Sequence, residues 1–358
     1  MSCSFGKNIC YTVFGQSHSE SIGCIVDGIP AGEKIDMDKL CAFMKRRAPG
    51  QNSFSTPRKE ADLPKVVSGL VDGVTCGAPV CAVIENTNTR SQDYDKLKNL
   101  PRPSHADYPA LIRYAGMNDP RGGGNFSGRM TAPLCFAGGL LMQILERSGI
   151  EIGAHISSIS SVCDDDIDFT TGSMEKLKAL EAKPFPVIND EAGERMKAEI
   201  LSAKSEGDSV GGVIECVITG VPAGVGDPVF DGIENRLACA IFGIPAVRGI
   251  EFGAGFKAAQ MRGSEHNDPY YLDGETVKTK TNNHGGVIGG ITSGMPIIFR
   301  VAFKPTPSSA KEQTSLNLKT GEQETFSTPG RHDPCIVQRA VPVVQAAAAL
   351  VLADFLLK

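Results

Sequence analysis

Four short apolar runs, Gly23–Asp27, Val80–Glu85, Gly212–Thr219 and Pro296–Phe303, each end at glycine, proline or a polar cluster. Their length and their Gly/Pro boundaries predict β-strands closed by turns. Two longer apolar runs have the length of helices. Pro133–Leu145 follows a glycine-rich segment, and Ala340–Leu357 is alanine-rich with Pro342 and Gln345 inside it. The second predicts a buried helix, because it falls short of an uninterrupted membrane span. A charged stretch, Asp190–Lys204, predicts a further helix within a connector at about 163–207. That connector also carries Asp164-Asp-Asp166 and reads as a solvated insertion. Lys304–Gly330 reads as a long polar loop with three prolines, and loops of that length are usually functional or disordered.

The pattern repeats. Ile22–Gly32 (IGCIVDGIPAG) is echoed by Ile214–Gly224 (IECVITGVPAG), Gly69–Val80 by Gly286–Ile297, and Gly116–Pro120 by Gly330–Pro334. The three echoes keep one order, and a helical run follows each member of the last pair. They predict two related halves, about 5–147 and 208–357, within a single domain spanning 1–358. The unit is far longer than a solenoid repeat. The expected class is α/β (α+β layered), with sheets and helices stacked in layers.

Composition narrows the function. The 358 residues carry a net charge of −5, which argues against non-specific nucleic-acid binding and leaves room for a locally basic pocket. The N-terminus lacks a signal-type apolar core. The 11 cysteines show no C-x-x-C spacing, so they are expected to be reduced in a cytoplasmic protein, with no metal, no membrane and no nucleic-acid partner.

Candidate chemistry is concentrated in a few polar segments. Arg121–Thr131 (RGGGNFSGRMT) sets three glycines, a serine and two arginines before a helix. Glycine lets backbone N–H groups approach a ligand, and a helix N-terminus and arginine favour anions. This predicts a phosphate or carboxylate site. Gly15–Glu20 (GQSHSE) places Ser17 beside His18, a proton-transfer pair or simply a polar strand end. Arg102–Asp107 (RPSHAD) places His105 in a loop, with a turn or capping role competing for Asp107. In Gly330–Pro334 (GRHDP), local sequence alone reads Asp333 as a helix N-cap with Pro334 at the first helical position. Arg46-Arg47, with Arg58 nearby, reads as a basic loop cluster. No G-x-S-x-G elbow supports a serine hydrolase. No P-loop occurs, and Gly253–Ala258 lacks the helix that a dinucleotide site needs.

Taken together, Gly15–Pro30, Gly124–Leu140 (GNFSGRMTAPLCFAGGL) and Arg331–Cys335 (RHDPC) resemble the three signature segments of the chorismate synthase family, in order. Agreement extends to Glu85–Tyr94, Pro101–Asp107, Gly207–Gly212 and Asn282–Gly286, so the resemblance covers nearly the whole chain. It implies an internally duplicated β-α-β sandwich with antiparallel sheets between helices, assembled as a homotetramer. It also implies a lyase that converts 5-enolpyruvylshikimate 3-phosphate to chorismate by 1,4-anti elimination of phosphate, using reduced FMN (FMNH2). By the resemblance, Arg47, Arg102, Arg129 and Arg331 bind substrate. His18 assists the leaving phosphate, His105 protonates the flavin, and the sequence allows those two roles to be exchanged. Asp333 partners the flavin in taking up the ring proton, and Ser17 and Ser127 relay protons. The flavin contacts implied are Asn125, Phe126, Ser127, Pro245, Ala246, Gly289, Lys304, Pro305, Thr306, Pro307, Ser308 and Arg331. Four positions depart from the family's usual residues: Asn125 and Ser53 stand where arginines are common, Pro245 where asparagine is, and Gln345 where glutamate is. Two rival readings remain, an NADPH-using flavin reductase and a non-catalytic anion-binding scaffold.

Overall fold

The computed structural model describes residues 3–51, 54–55, 60–87, 99–328 and 333–357. In chain order the elements are β1 (Ser4–Phe5), β2 (Cys10–Gly15), β3 (Ser21–Asp27), α1 (Met37–Arg47), β4 (Lys65–Ser68), β5 (Leu70–Val71), β6 (Val74–Thr75) and β7 (Val80–Glu85). Next come α2 (Asp107–Arg113), α3 (Thr131–Arg147), β8 (Glu151–Ile159), β9 (Val162–Cys163), α4 (Met174–Leu180), α5 (Asp190–Ser205), β10 (Gly212–Thr219), α6 (Ile233–Phe242) and β11 (Val247–Phe252). The chain closes with α7 (Gly263–His266), β12 (Tyr270–Asp273), β13 (Thr276–Thr279), β14 (Val287–Ile288), β15 (Ile291–Thr292), β16 (Ile297–Phe303), β17 (Gln313–Leu316), β18 (Gln323–Phe326) and α8 (Val337–Leu356).

Two five-stranded antiparallel sheets flank the central helices. Their orders are β1-β2-β3-β7-β4 and β9-β8-β10-β16-β11. The helices α3 and α8 lie side by side between them, α3 against β3 and β7, α8 against β8 and β10. Alternation along β3 buries Ile22, Cys24 and Val26 and leaves Ile25 outward, the period-two signature of a sheet with one buried face. Gly138 makes the helix pair possible: a Cβ there would lie 2.3 Å from the Ala346 Cα. Although α8 has the length and apolarity to cross a bilayer, it is a core helix, with Val341 and Val344 through Ala349 all within 3 % of full burial.

The β-α-β sandwich is present, but the expected placement of sheets between helices is reversed. Helices lie between the sheets, and among the described residues the second sheet also has a helix outside it. There α4 packs Met174, Leu177 and Leu180 onto Val217 and Ile298. The 163–207 connector is therefore not a solvated insertion. Its apolar residues recur at helical spacing and cover sheet surface, while Phe185, Val187, Met196 and Ile200 join the main core. Nor is Lys304–Gly330 a loop throughout, since β17 and β18 pair as a hairpin within it. Helix α8 begins at Val337 with Ile336 at its N-cap, so Asp333 is not the cap and is released for other work.

The sequence echoes correspond to repeated hydrogen bonds. Gly32 N–H donates to the Thr75 carbonyl at 2.8 Å, and Gly224 N–H to the Thr292 carbonyl at 2.9 Å. The Thr75 hydroxyl donates to the Pro30 carbonyl and accepts from the Glu33 N–H. The Thr292 hydroxyl does the same with Pro222 and Val225.

Candidate active site

A cavity of about 600 Å3 opens where the ends of several elements converge. Its walls are the C-terminus of α1, the segment leading into α3, the α6–β11 turn, the strand end and loop at 303–308, and the start of α8. That volume lies inside the roughly 300–1,000 Å3 range of small-molecule sites.

Several arginines line the cavity, and the fold fixes Arg47, Arg129 and Arg339 through the contacts that follow. Asp36 caps α1 by accepting from the N–H groups of Asp38 and Lys39, and the helix ends on Arg47. Arg47 donates through Nε to the Thr131 hydroxyl at 3.1 Å and through Nη2 to the Gly128 carbonyl at 3.0 Å. Its Nη1 donates to Asp62. Arg129 donates through Nε to Asn86 at 2.9 Å and through Nη1 to the other oxygen of Asp62. A single carboxylate, 0 % exposed, thus bridges two buried guanidiniums. Burial alone would raise the Asp62 pKa, but Arg47 and Arg129 outweigh it and hold the group below its usual range. A third arginine, Arg339, donates to Asp333 and, through Nε, to the Arg47 carbonyl at 3.0 Å. Burial pushes the Arg339 pKa down despite Asp333. A buried cation of this kind is stabilised by further negative charge.

The three glycines run between the two histidines. Gly122, Gly123 and Gly124 have φ of +59°, +93° and +53°. A Cβ on Gly122 would lie 2.3 Å from His18 Cε1, and one on Gly123 would lie 3.2 Å from His105 Nε2. Side chains are therefore excluded here, and L-residues disfavour the backbone conformation as well. Both Ser17 and His18 are buried, with the Ser17 hydroxyl 3.1 Å from His18 Nδ1. Neither lines the larger cavity; Gly122, against which they pack, does. His105 lines it directly, and its Nδ1 lies 2.7 Å from Asp107. The Ser127 hydroxyl accepts from the Arg129 N–H at 3.2 Å and caps the short turn before α3. Arg121, expected to bracket an anion, is instead paired with Asp119 at 2.8 Å.

Asn125, Phe126, Pro245, Ala246, Lys304, Thr306, Pro307, Ser308 and Asp333 also line the cavity. Ala246 adopts φ +73°. Burial and the neighbouring Arg248 lower the Lys304 pKa. The buried Thr306 hydroxyl oxygen finds no hydrogen-bond partner among the described residues. Two expected flavin contacts are absent from the lining. Pro305 is outside it, and Gly289 sits in the β14–β15 hairpin, where Gly289 and Gly290, at φ +63° and +86°, supply the left-handed turn that a two-residue loop needs. Arg331, Ser53 and Arg58 lie outside the described residues.

Sequence reasoning missed Arg339, Asp62 and Glu60, all of which belong to the arginine cluster. Arg339 had a legible signal, a cation inside an otherwise apolar run. Asp62 and Glu60 stand among ordinary loop charges and had none.

A cavity walled by arginines, with His105 in its lining and His18 behind Gly122, defines an enzyme for a small anionic substrate. Comparison with known proteins makes the assignment specific. The family model for chorismate synthase matches residues 9–357. A chorismate synthase of Pyrococcus abyssi is 47% identical over 352 residues, covering 98% of this chain and 97% of its own. One from Korarchaeum cryptofilum is 44% identical over 354 residues, covering 99% and 97%. A crystal structure of chorismate synthase superposes with a TM-score of 0.77 at 28% identity, covering 99% of this chain and 93% of that one. The chain belongs to the chorismate synthase family, and it is a chorismate-forming lyase of the shikimate pathway.

Proposed function

We propose that the cavity takes 5-enolpyruvylshikimate 3-phosphate and converts it to chorismate and phosphate by 1,4-anti elimination in the presence of reduced FMN. The observation that carries this reading is the cation set of Arg47, Arg129 and Arg339 around one cavity. The substrate has a phosphate and two carboxylates, and forked guanidiniums hold such groups with strength and direction. The residues present also fit a flavin. The Thr306 hydroxyl, which has no partner among the described residues, the Phe126 ring, Ala246 and Lys304 are among the residues that line the cavity. These residues, with Asn125, Pro307 and Ser308, would hold FMN, and Arg331 is carried over from the family motif.

When bound, reduced FMN supplies an electron-rich, basic ring system to a reaction with no net redox change. The chain's own residues do the rest. Arginines bind and orient the anions and stabilise the charge on the departing phosphate. The family motif gives His18, paired through Nδ1 with Ser17 and set behind Gly122, the proton for that phosphate. His105 holds a proton on the cofactor side. Asp333, placed beside Arg339, serves as the chain's partner in receiving the ring proton, with Ser17 and Ser127 as relays. The same reading takes the chain as one domain of two related halves. The strand order favours starting the second half at β8, which stands beside β10 as β2 stands beside β3. A homotetramer fits the outer face of the first sheet, where Phe14 and Ile25 remain partly exposed.

Titration of oxidised FMN tests the shared pocket. Flavin binding should tighten by on the order of 10-fold or more when the substrate is present, through direct contact of the two ligands. Equal flavin affinity with and without substrate would count against one common cavity.

A further inference from the structure

Arg102, His105 and Asp107 come from one short stretch that turns back on itself, with Ser104 at φ +57° and Asp107 opening α2. Asp107 Oδ2 accepts from the Arg102 backbone N–H at 3.0 Å and from its Nε at 2.8 Å. Asp107 Oδ1 faces Arg102 Nη2 at 2.8 Å and His105 Nδ1 at 2.7 Å. Arg102 Nη1 donates to the Ser308 hydroxyl at 3.1 Å. Arg102 Nη2 also lies 3.1 Å from His105 Nδ1.

These contacts settle which ring nitrogen carries the fixed proton. A guanidinium has only donors, so a bond from Arg102 would require a bare Nδ1. A carboxylate accepts, so the bond to Asp107 requires Nδ1–H, and one nitrogen cannot do both. Burial would raise the Asp107 pKa, yet Arg102 and His105 overcome that and hold the carboxyl well below its usual range. It is therefore an ionised acceptor, and its contact with Nδ1 is the shorter of the two. The other nitrogen, Nε2, faces Gly123, the residue that leaves it uncovered.

We propose that Asp107, braced by Arg102, is a positioning residue that fixes His105 as the Nδ1–H form, making Nε2 the nitrogen that gives and takes the proton. This rests on the reading of His105 as a proton-transfer group. When the imidazolium acts, its Nε2–H bond breaks, the proton bonds to an anionic acceptor, and the Nδ1–H stays on Asp107. The ring returns to neutral without any rearrangement of the loop. Arg102 then acts as a strut whose Nε and Nη2 serve Asp107, in place of the substrate-binding role expected for it.

Proton–nitrogen NMR of histidine-labelled protein tests the proposal without cofactor or substrate. The chain has six histidines, and His105→Gln identifies the His105 signals by their loss. The wild-type protein is expected to show His105 with Nδ1 protonated and Nε2 bare once neutral. Asp107→Asn is expected to lose that preference, while the other five histidines report an unchanged fold. A neutral wild-type His105 carrying its proton on Nε2 would overturn the proposal, even if the variant failed to fold. An unchanged His105 tautomer in a folded Asp107→Asn protein would overturn it too. In turnover assays, Asp107→Asn should fall by roughly 10²-fold in kcat with a smaller change in KM. A KM effect alone would return Arg102 to substrate binding, leave Asp107 as its brace and overturn the positioning of His105. Absence of chorismate formation with the expected tautomer present would reject the proposed reaction and leave the positioning role standing.

Discussion

Gly122 keeps His18 and the cavity apart by the thickness of one backbone strand. A methyl group at Gly122 must displace the His18 ring, and displacements near 1 Å can cost about 10²-fold in rate. Gly122→Ala should therefore lose turnover on that order while keeping its fold by circular dichroism. His18→Ala and His105→Ala should each cost roughly 10²-fold or more in kcat if both are proton-transfer groups; wild-type rates in both would refute the roles. Asp62 has a different signature. Removing it leaves two buried guanidiniums without their shared counter-charge, at a cost of about 3–5 kcal/mol. Asp62→Ala should accordingly unfold at clearly lower urea concentration than the wild type, and an unchanged midpoint would contradict the bridging geometry. At this scale His18 and His105 stood out because each histidine sits in a short polar segment, whereas Arg46-Arg47, which reads as a basic loop cluster, instead forms the end of α1 with Arg47 buried. The sequence hid Asp62, whose role depends on a contact spanning 67 residues to Arg129.

The strands and helices were more legible than the connections. Val80–Glu85 and Gly212–Thr219 coincide with β7 and β10, and the Asp190–Lys204 expectation lies within α5. Apolar runs between turn formers determine such elements locally. The connector misled because its surface is strongly charged, and Met174, Leu177 and Leu180 make a short apolar face easily overlooked beside it. The hairpin β17–β18 was hidden for the opposite reason, since its strands are polar and mostly solvent-facing. The α3–α8 contact depends on a missing side chain at Gly138. Gly138→Val should overpack this contact and destabilise by about 1–3 kcal/mol, visible as a lower denaturant midpoint. Full tolerance would mean that the helices are free to separate.

Across the whole molecule, burial is combined with charge networks that make stability depend on pH. On the second sheet, His155 sits between Asp164 at 3.0 Å and Glu215 at 3.2 Å, and Arg300 joins Glu215 to Glu251. Burial alone would lower the His155 pKa from 6.5, but hydrogen bonds to the two carboxylates carry it up to about 9. A raised histidine pKa contributes stability that is fully present below pH 6.5 and is lost as pH rises through about 9. Thermal unfolding should show that alkaline loss, and His155→Gln should flatten it. The lowered pKa values of Asp62 and Asp164 act oppositely, adding stability that disappears as pH falls below the usual carboxylate range. The layered fold was legible from the threefold echo, whereas the pairing of His155 with Asp164 and Glu215 required the sheet register. The central claim, that this fold builds a reduced-FMN-dependent phosphate eliminase, is met most directly by an anaerobic assay of the purified protein. With 5-enolpyruvylshikimate 3-phosphate and chemically reduced FMN, chorismate and phosphate should appear in equal amounts, and neither should form with oxidised FMN. Release of neither product with the reduced flavin, or equal rates with the oxidised one, would contradict it.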